Sequence, residues 1–130
     1  MAQHAIELIL FRQLAEYLSI PVFLVDPAGD LLFYNEPAER ILGLRFEETG
    51  EMPAAEWSAR FKPTAPDGSP AESESLPLVK ALTTGRPAVG RLGIVGADGI
   101  RRSIEVAAWP MIGHGSRNLG AVAMFWETEA

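Results

Sequence analysis

The sequence predicts an α+β domain, a five-stranded antiparallel sheet with helices inserted between its second and third strands and an amphipathic helix ahead of the first. Three observations carry this. Residues 22–34 hold two apolar runs, VFLVD and LLFY, on either side of Asp26-Pro27-Ala28-Gly29, which combines an acceptor side chain, a fixed φ and a residue free to take positive φ, so the chain reverses there. A second Asp-Gly pair, Asp98-Gly99, separates two further strand-like runs, and a last apolar run, GAVAMFWE, follows a small-residue loop. Between the hairpins the apolar residues recur at helical rather than alternating spacing.

The elements follow in order. Residues 3–18 carry Ile6, Ile9, Leu10, Leu14, Tyr17 and Leu18 on one stripe, opposite Gln3, Glu7, Arg12, Gln13 and Glu16. Leu8 and Phe11 fall beside this stripe and widen it beyond what one small sheet needs, so the helix can lie over its own sheet or meet a second protomer. Pro21 is expected to end it, because the residue before a proline is pushed out of the α region. After the first hairpin, Asn35-Glu36-Pro37 supplies an N-cap acceptor, an acid and a first-turn proline. Ala38, Ile41 and Leu42 continue that helix and Gly43 closes it.

Residues 45–71 are the least regular stretch, with a turn signal at Pro66-Asp67-Gly68. Trp57 and Phe61 stand four apart and share a face of a short helix, as core residues or as a cavity wall. Residues 73–84 form the next helix, starting near Ser75 or Leu76 because Pro77 belongs in its first turn; Leu76, Leu78, Val79 and Leu82 are expected to face inward and Gly85 to stop it.

In the third strand Leu92 and Ile94 share one face, with Val89, Arg91 and Val95 on the other. Glycines at 90, 93 and 96 leave room for a neighbouring backbone or a ligand. The fourth strand alternates Ile104, Val106 and Ala108 against Ser103, Glu105, Ala107 and Trp109, and in the fifth Val122, Met124 and Trp126 fall on Trp109's side. That outer face is too apolar to stand bare, and the N-terminal helix, from the same chain or a partner's, is expected to cover it.

Composition bounds the function. The 130 residues are one domain's worth of chain, and 48% hydrophobic with 22% charged residues is globular. A net charge of −6, with no basic run longer than Arg101-Arg102, argues against nucleic acid and anionic membrane as partners. There is no cysteine, no signal peptide pattern and no 18-residue apolar stretch, so a cytoplasmic location is expected.

The order of strand, D-x-x-G turn, strand and N-x-x-A-x-x-x-x-G helix, matched by Asp26, Gly29, Asn35, Ala38 and Gly43, resembles the opening of a PAS domain, and the resemblance extends from about residue 22 to residue 127. It implies a PAS-like five-stranded antiparallel sheet with helices on one face. Residues 1–20 would then be an N-terminal amphipathic dimerisation helix and residues 21–128 the PAS domain. It further implies a sensory or regulatory module of signal transduction that binds a small apolar or amphipathic ligand non-covalently and relays a conformational change through a homodimer. The alternative is a ligand-free dimerisation or docking module. The expected ligand-binding residues are Trp57, Phe61, Leu78, Leu82, Leu92, Ile94, Ile104 and Val106, and the expected dimer interface is Ile6, Ile9, Leu10, Leu14, Tyr17, Trp109 and Trp126. The family's D-x-T-like end of the last strand stands here in shifted form, as Glu127-Thr128-Glu129, and no kinase, cyclase or DNA-binding element is present, so an output domain or partner protein is expected elsewhere.

Relatives that sense light through a flavin adduct or a thioester-linked chromophore need a cysteine, which this chain lacks. Haem-binding relatives use a histidine in the helix corresponding to residues 73–84, whereas His4 and His114 lie elsewhere and read as surface residues. A non-covalent flavin demands only an apolar slot and a few polar groups. No catalytic or metal site is expected: there is no G-x-S-x-G elbow, no H-x-x-x-H spacing and no phosphate loop. The acids Glu47, Glu48 and Glu51 read as a solvated cluster. Of the charged residues near the expected cavity, Arg91, Lys62 and Glu105, strand phase turns Arg91 and Glu105 outward.

Overall fold

The computed structural model describes residues 6–128. In chain order the elements are α1 (Ile6–Ala15), β1 (Val22–Val25), β2 (Leu31–Tyr34), α2 (Glu36–Leu42), α3 (Phe46–Thr49), α4 (Ala54–Phe61), a 3-10 turn (Ser73–Ser75), α5 (Pro77–Thr84), β3 (Ala88–Val95), β4 (Arg101–Ile112), a second 3-10 turn (His114–Ser116) and β5 (Asn118–Glu127). The five strands form one antiparallel sheet in the order β2-β1-β5-β4-β3. None of the described helices is long and apolar enough to cross a membrane.

The sheet has two apolar faces because its strands alternate. Phe23, Val25, Ile94, Ile104, Val106, Ala123 and Phe125 point to the face covered by α2, α4 and α5, where the main core lies. Val22, Leu24, Phe33 and Val122 point to the other face, joined by Leu32 at the register shift between β1 and β2, and there Leu8 and Ala15 of α1 close a second core. Trp109 pairs with Val122, Ala107 with Met124 and Glu105 with Trp126, which puts both tryptophans on α1's side of the sheet as strand phase requires.

Two details of the helices differ from the sequence expectation. The face of α1 that meets the sheet is Leu8, Phe11 and Ala15, continued by Leu18 beyond the helix end, while Ile6, Ile9, Leu10, Leu14 and Tyr17 stay exposed. The sheet selected the narrower, more interrupted stripe. The regular helix also stops at Ala15, ahead of Pro21, and the reason is long-range. Asn35 is 1% exposed, and its Nδ2 donates to the carbonyls of Ala15 at 3.0 Å and Ile20 at 2.9 Å. Its Oδ1 accepts from the amides of Val22 at 2.9 Å and Ala38 at 3.2 Å. One side chain thus caps α2 and ties it to the end of α1 and the start of β1. In α5 the inward pair is Leu78 and Ala81, with Val79 and Leu82 only half-buried, because Leu76 is the extended residue before the helix and Pro77 its first.

Candidate functional site: an apolar cavity between the helices and the sheet

The segment 45–71, poor in regular structure, is held in place by bonds from the first hairpin. Asp30 Oδ1 accepts from the amide of Ala54 at 2.8 Å and so caps α4, whose own N-cap, Pro53, has no side-chain acceptor. Trp57 Nε1 donates to the carbonyl of Gly29 at 3.0 Å, and the indole stands edge-on to Phe23 with ring centroids 5.2 Å apart. Phe61, one turn on, packs edge-on to Tyr34 at 6.5 Å. The Tyr34 hydroxyl donates to the Leu44 carbonyl at 2.8 Å, and burial pushes its pKa up, so it remains a neutral donor.

Between α4, α5 and the inner sheet face lies a cavity of about 80 Å³. Trp57, Phe61, Leu78, Leu92, Ile94, Ile104 and Val106 line it, seven of the eight residues singled out in the sequence. Leu82 does not, because α5 turns Leu78 and Ala81 inward; it lines a neighbouring surface groove instead. Phe23, Leu42, Pro63, Leu76, Pro77, Ala123 and Phe125 complete the wall. Phe23, Ala123 and Phe125 could have been found by alternation, since β5 pairs with both β1 and β4. Leu42, Pro63 and Pro77 had no signal, because helix ends and loops are brought there only by tertiary packing.

No ionisable side chain lines the cavity, and the one polar atom on its aromatic wall, Trp57 Nε1, is engaged by Gly29. The three strand glycines do not enlarge it. A Cβ at Gly90 would meet Pro77 at 3.3 Å, one at Gly93 would overlap Thr64 and Arg101, and one at Gly96 would overlap Asp98 and Arg102, so the protein itself uses the space. Arg91 and Glu105 pair on the opposite face at 3.3 Å, and Lys62 is exposed at the end of α4.

A flavin does not fit this arrangement. Small-molecule pockets start near 300 Å³, several times the volume of this cavity, and the wall offers no donor or acceptor to a flavin ring. Haem lacks a ligand here: His114 sits on the exposed turn before β5, and His4 lies outside the described residues. Among the described residues no group of three or more acids and histidines is placed to hold a metal. Glu47 and Glu48 lie on exposed α3, with Glu47 paired to Arg45 at 2.7 Å.

The expected interface residues are distributed over one side of the molecule. Ile6, Ile9, Leu10 and Leu14 are exposed on α1, and Tyr17, just after it, is 86% exposed. Trp126 is 42% exposed on the outer sheet face, where Val89 also stands out at 77%. Trp109 is half-buried against the second core.

Comparison with known proteins gives a consistent picture. The family model described as "PAS domain" matches residues 9–76. A PAS domain from Colwellia psychrerythraea superposes with a TM-score of 0.66 at 18% identity, covering 94% of this chain and 97% of that one. The LOV protein of Rhodobacter sphaeroides gives 0.73 at 14% identity, over 96% and 69%. The PAS domain of BvgS from Bordetella pertussis gives 0.68 at 15%, over 97% and 89%. Among curated proteins none matches.

Proposed function

This chain belongs to the PAS domain family, whose members serve in general as sensory modules of signal transduction, and from that premise we propose that it binds a small apolar or amphipathic molecule non-covalently and relays the change through a homodimer. The observation that carries the ligand half is the wholly apolar cavity at the junction of α4, α5 and the inner sheet face. At about 80 Å³ it is smaller than the 150 Å³ engineered cavity that takes up benzene. A ligand confined to it is correspondingly small, or widens it by displacing α5. We assign the chain no reaction of its own, since no nucleophile, base or acid faces the cavity.

The small volume also favours a second reading, a ligand-free dimerisation or docking module whose core is filled by its own side chains. Native mass spectrometry of the purified protein, repeated after denaturation, separates the two: mass lost on denaturation supports the ligand reading. Ala123→Val tests it from the other side, since the new methyls project into the cavity from the central strand β5. Under the ligand reading the variant binds less while its melting temperature holds or rises. Unchanged ligand uptake would place the ligand elsewhere.

The homodimer rests on the surplus apolar stripe of α1. Ile6, Leu10 and Leu14 fall within about 80° of one another on a helix at 100° per residue, and Tyr17 follows just beyond the helix end. An unpaired stripe of this kind on a free surface marks an interaction site. Leu10→Glu with Leu14→Glu is expected to weaken the dimer at least about 100-fold in sedimentation equilibrium, because two carboxylates cannot be desolvated in that seam without partners. Both residues are exposed, so the fold should survive. A wild-type chain that sediments as a monomer at 100 μM would remove the dimer from this account. The change would pass to a partner protein or output element in a cytoplasmic pathway.

A further inference from the structure

A groove of about 290 Å³ runs over the surface beside the cavity, between the β1–β2 turn, α4 and α5. Trp57, Leu76 and Leu78 line both spaces, so the two are separated by the thickness of single side chains. The groove differs from the cavity in chemistry. Val79 and Leu82 are among its apolar lining residues, and Ser58, Ser73 and Thr83 line it as well. Thr83 Oγ1 donates to the Val79 carbonyl at 3.0 Å, whereas the Ser58 and Ser73 hydroxyls have no side-chain hydrogen bond among the described residues.

We propose that groove and cavity form one bipartite site for an uncharged amphiphile, with its alkyl chain in the cavity and a hydroxyl or amide head at Ser58 and Ser73. This rests on the ligand reading above and specifies its chemistry. Neither space is lined by an ionisable side chain, so a carboxylate or ammonium head would lose its water and gain no counter-ion. The net charge of −6, with Glu72 and Glu74 flanking Ser73, opposes an anion further. Together the two volumes reach the lower end of what a small-molecule site needs, which the cavity alone does not. Leu76, extended at φ −69° and ψ 132° between the 3-10 turn and α5, is the part of the dividing wall that a tail entering the cavity would displace. Trp57 is fixed by its bond to Gly29 and forms the standing side of the passage.

The test is titration of the whole chain with 1-hexanol, hexane and hexanoate, followed in proton–nitrogen correlation spectra for the N–H groups and proton–carbon correlation spectra for the methyls. Hexanol is expected to shift, saturably and together, the Trp57 indole N–H, the Ser58 and Ser73 amides and the methyls of Ile94 and Ile104. Its affinity should exceed that of hexanoate at least about 10-fold. Ser58→Ala with Ser73→Ala should weaken hexanol by roughly 2- to 10-fold per hydrogen bond lost and leave hexane unaffected. Hexane binding as tightly as hexanol, with no effect of the serine changes, would leave a cavity ligand but overturn the bipartite site. Hexanoate binding as well as hexanol would overturn the exclusion of charge. Shifts confined to the groove would overturn the tail in the cavity, and no saturable shift by hexanol or hexane up to their solubility would remove the ligand reading along with this one.

Discussion

Asn35→Ala is expected to cost about 3–5 kcal/mol of folding stability, measured as the shift of the guanidinium unfolding midpoint by far-UV circular dichroism. The size follows from what alanine leaves behind. Four backbone groups, the carbonyls of Ala15 and Ile20 and the amides of Val22 and Ala38, each lose a bond to one side chain that is 1% exposed, and of the four the Ala15 carbonyl keeps a second donor, the Leu18 amide at 3.2 Å. A lost N-cap alone costs about 1 kcal/mol; the remainder comes from leaving the buried Val22 amide and the part-buried Ile20 carbonyl without their partner. Asn35→Asp separates the two contributions. It keeps the acceptor for Val22 and Ala38 but faces the Ala15 and Ile20 carbonyls with an oxygen in place of a donor, so at neutral pH it should fare little better than alanine. A loss near 1 kcal/mol for Asn35→Ala would show that only the cap matters and that the α1 end is held by packing.

Gly120→Ala is expected to be as damaging, on the order of 3–5 kcal/mol, in a domain whose whole stability is about 5–15 kcal/mol. Gly120 has φ +126°, and a Cβ there would overlap the Val25 carbonyl oxygen and press on Asp26 Cα. Val25 closes β1 and Asp26 follows it, and β1 pairs with β5 at Val25 and Ala121 in the middle of the sheet. The residue sits where the β4–β5 register shifts by one, next to the Asn118 Oδ1 that accepts its amide at 3.0 Å. Relieving the overlap therefore means parting the central strand pair. Gly68→Ala is the control: φ is also positive, +91°, but a Cβ meets nothing, and the cost should be about 1 kcal/mol. Equal losses at the two positions would mean that backbone conformation, not the close approach of β1, governs both.

These two sites explain why so few residues hold the cavity's geometry. Asn35 sets where α2 begins, hence where Leu42 reaches the cavity wall, and the Asp30 and Gly29 bonds to α4 set where Trp57 stands. The β3–β4 turn is pinned in the same manner. Arg102 bonds Asp98 at 2.9 Å and the Ile41 carbonyl at 3.1 Å, and this guanidinium holds the Asp98 carboxyl below its usual pKa. The wall of the cavity is apolar, but polar groups outside it decide its shape.

What the sequence determined by itself is the set of elements and the phase of the strands. Both signals are local: Asn35 before Glu36-Pro37 starts a helix, Asp-x-x-Gly turns a chain, and Ile104, Val106 and Ala108 must share a face whatever they pack against. That is why seven of the eight residues named for the cavity line it, and why both tryptophans lie on the outer face. Only the tertiary structure decided which stripe of α1 meets the sheet, which face of α5 turns inward and which loop atoms close the cavity. Leu8 and Ala15 were chosen over Leu10 and Leu14 by the sheet's outer surface and by Asn35 reaching back to the Ala15 carbonyl, twenty residues away. Leu82 yielded to Leu78 because Leu76 stays extended and Pro77 opens the helix. Apolar periodicity shows that a helix has a side to bury; which of two comparable sides is buried depends on contacts between residues far apart in the chain, and no window of sequence contains them.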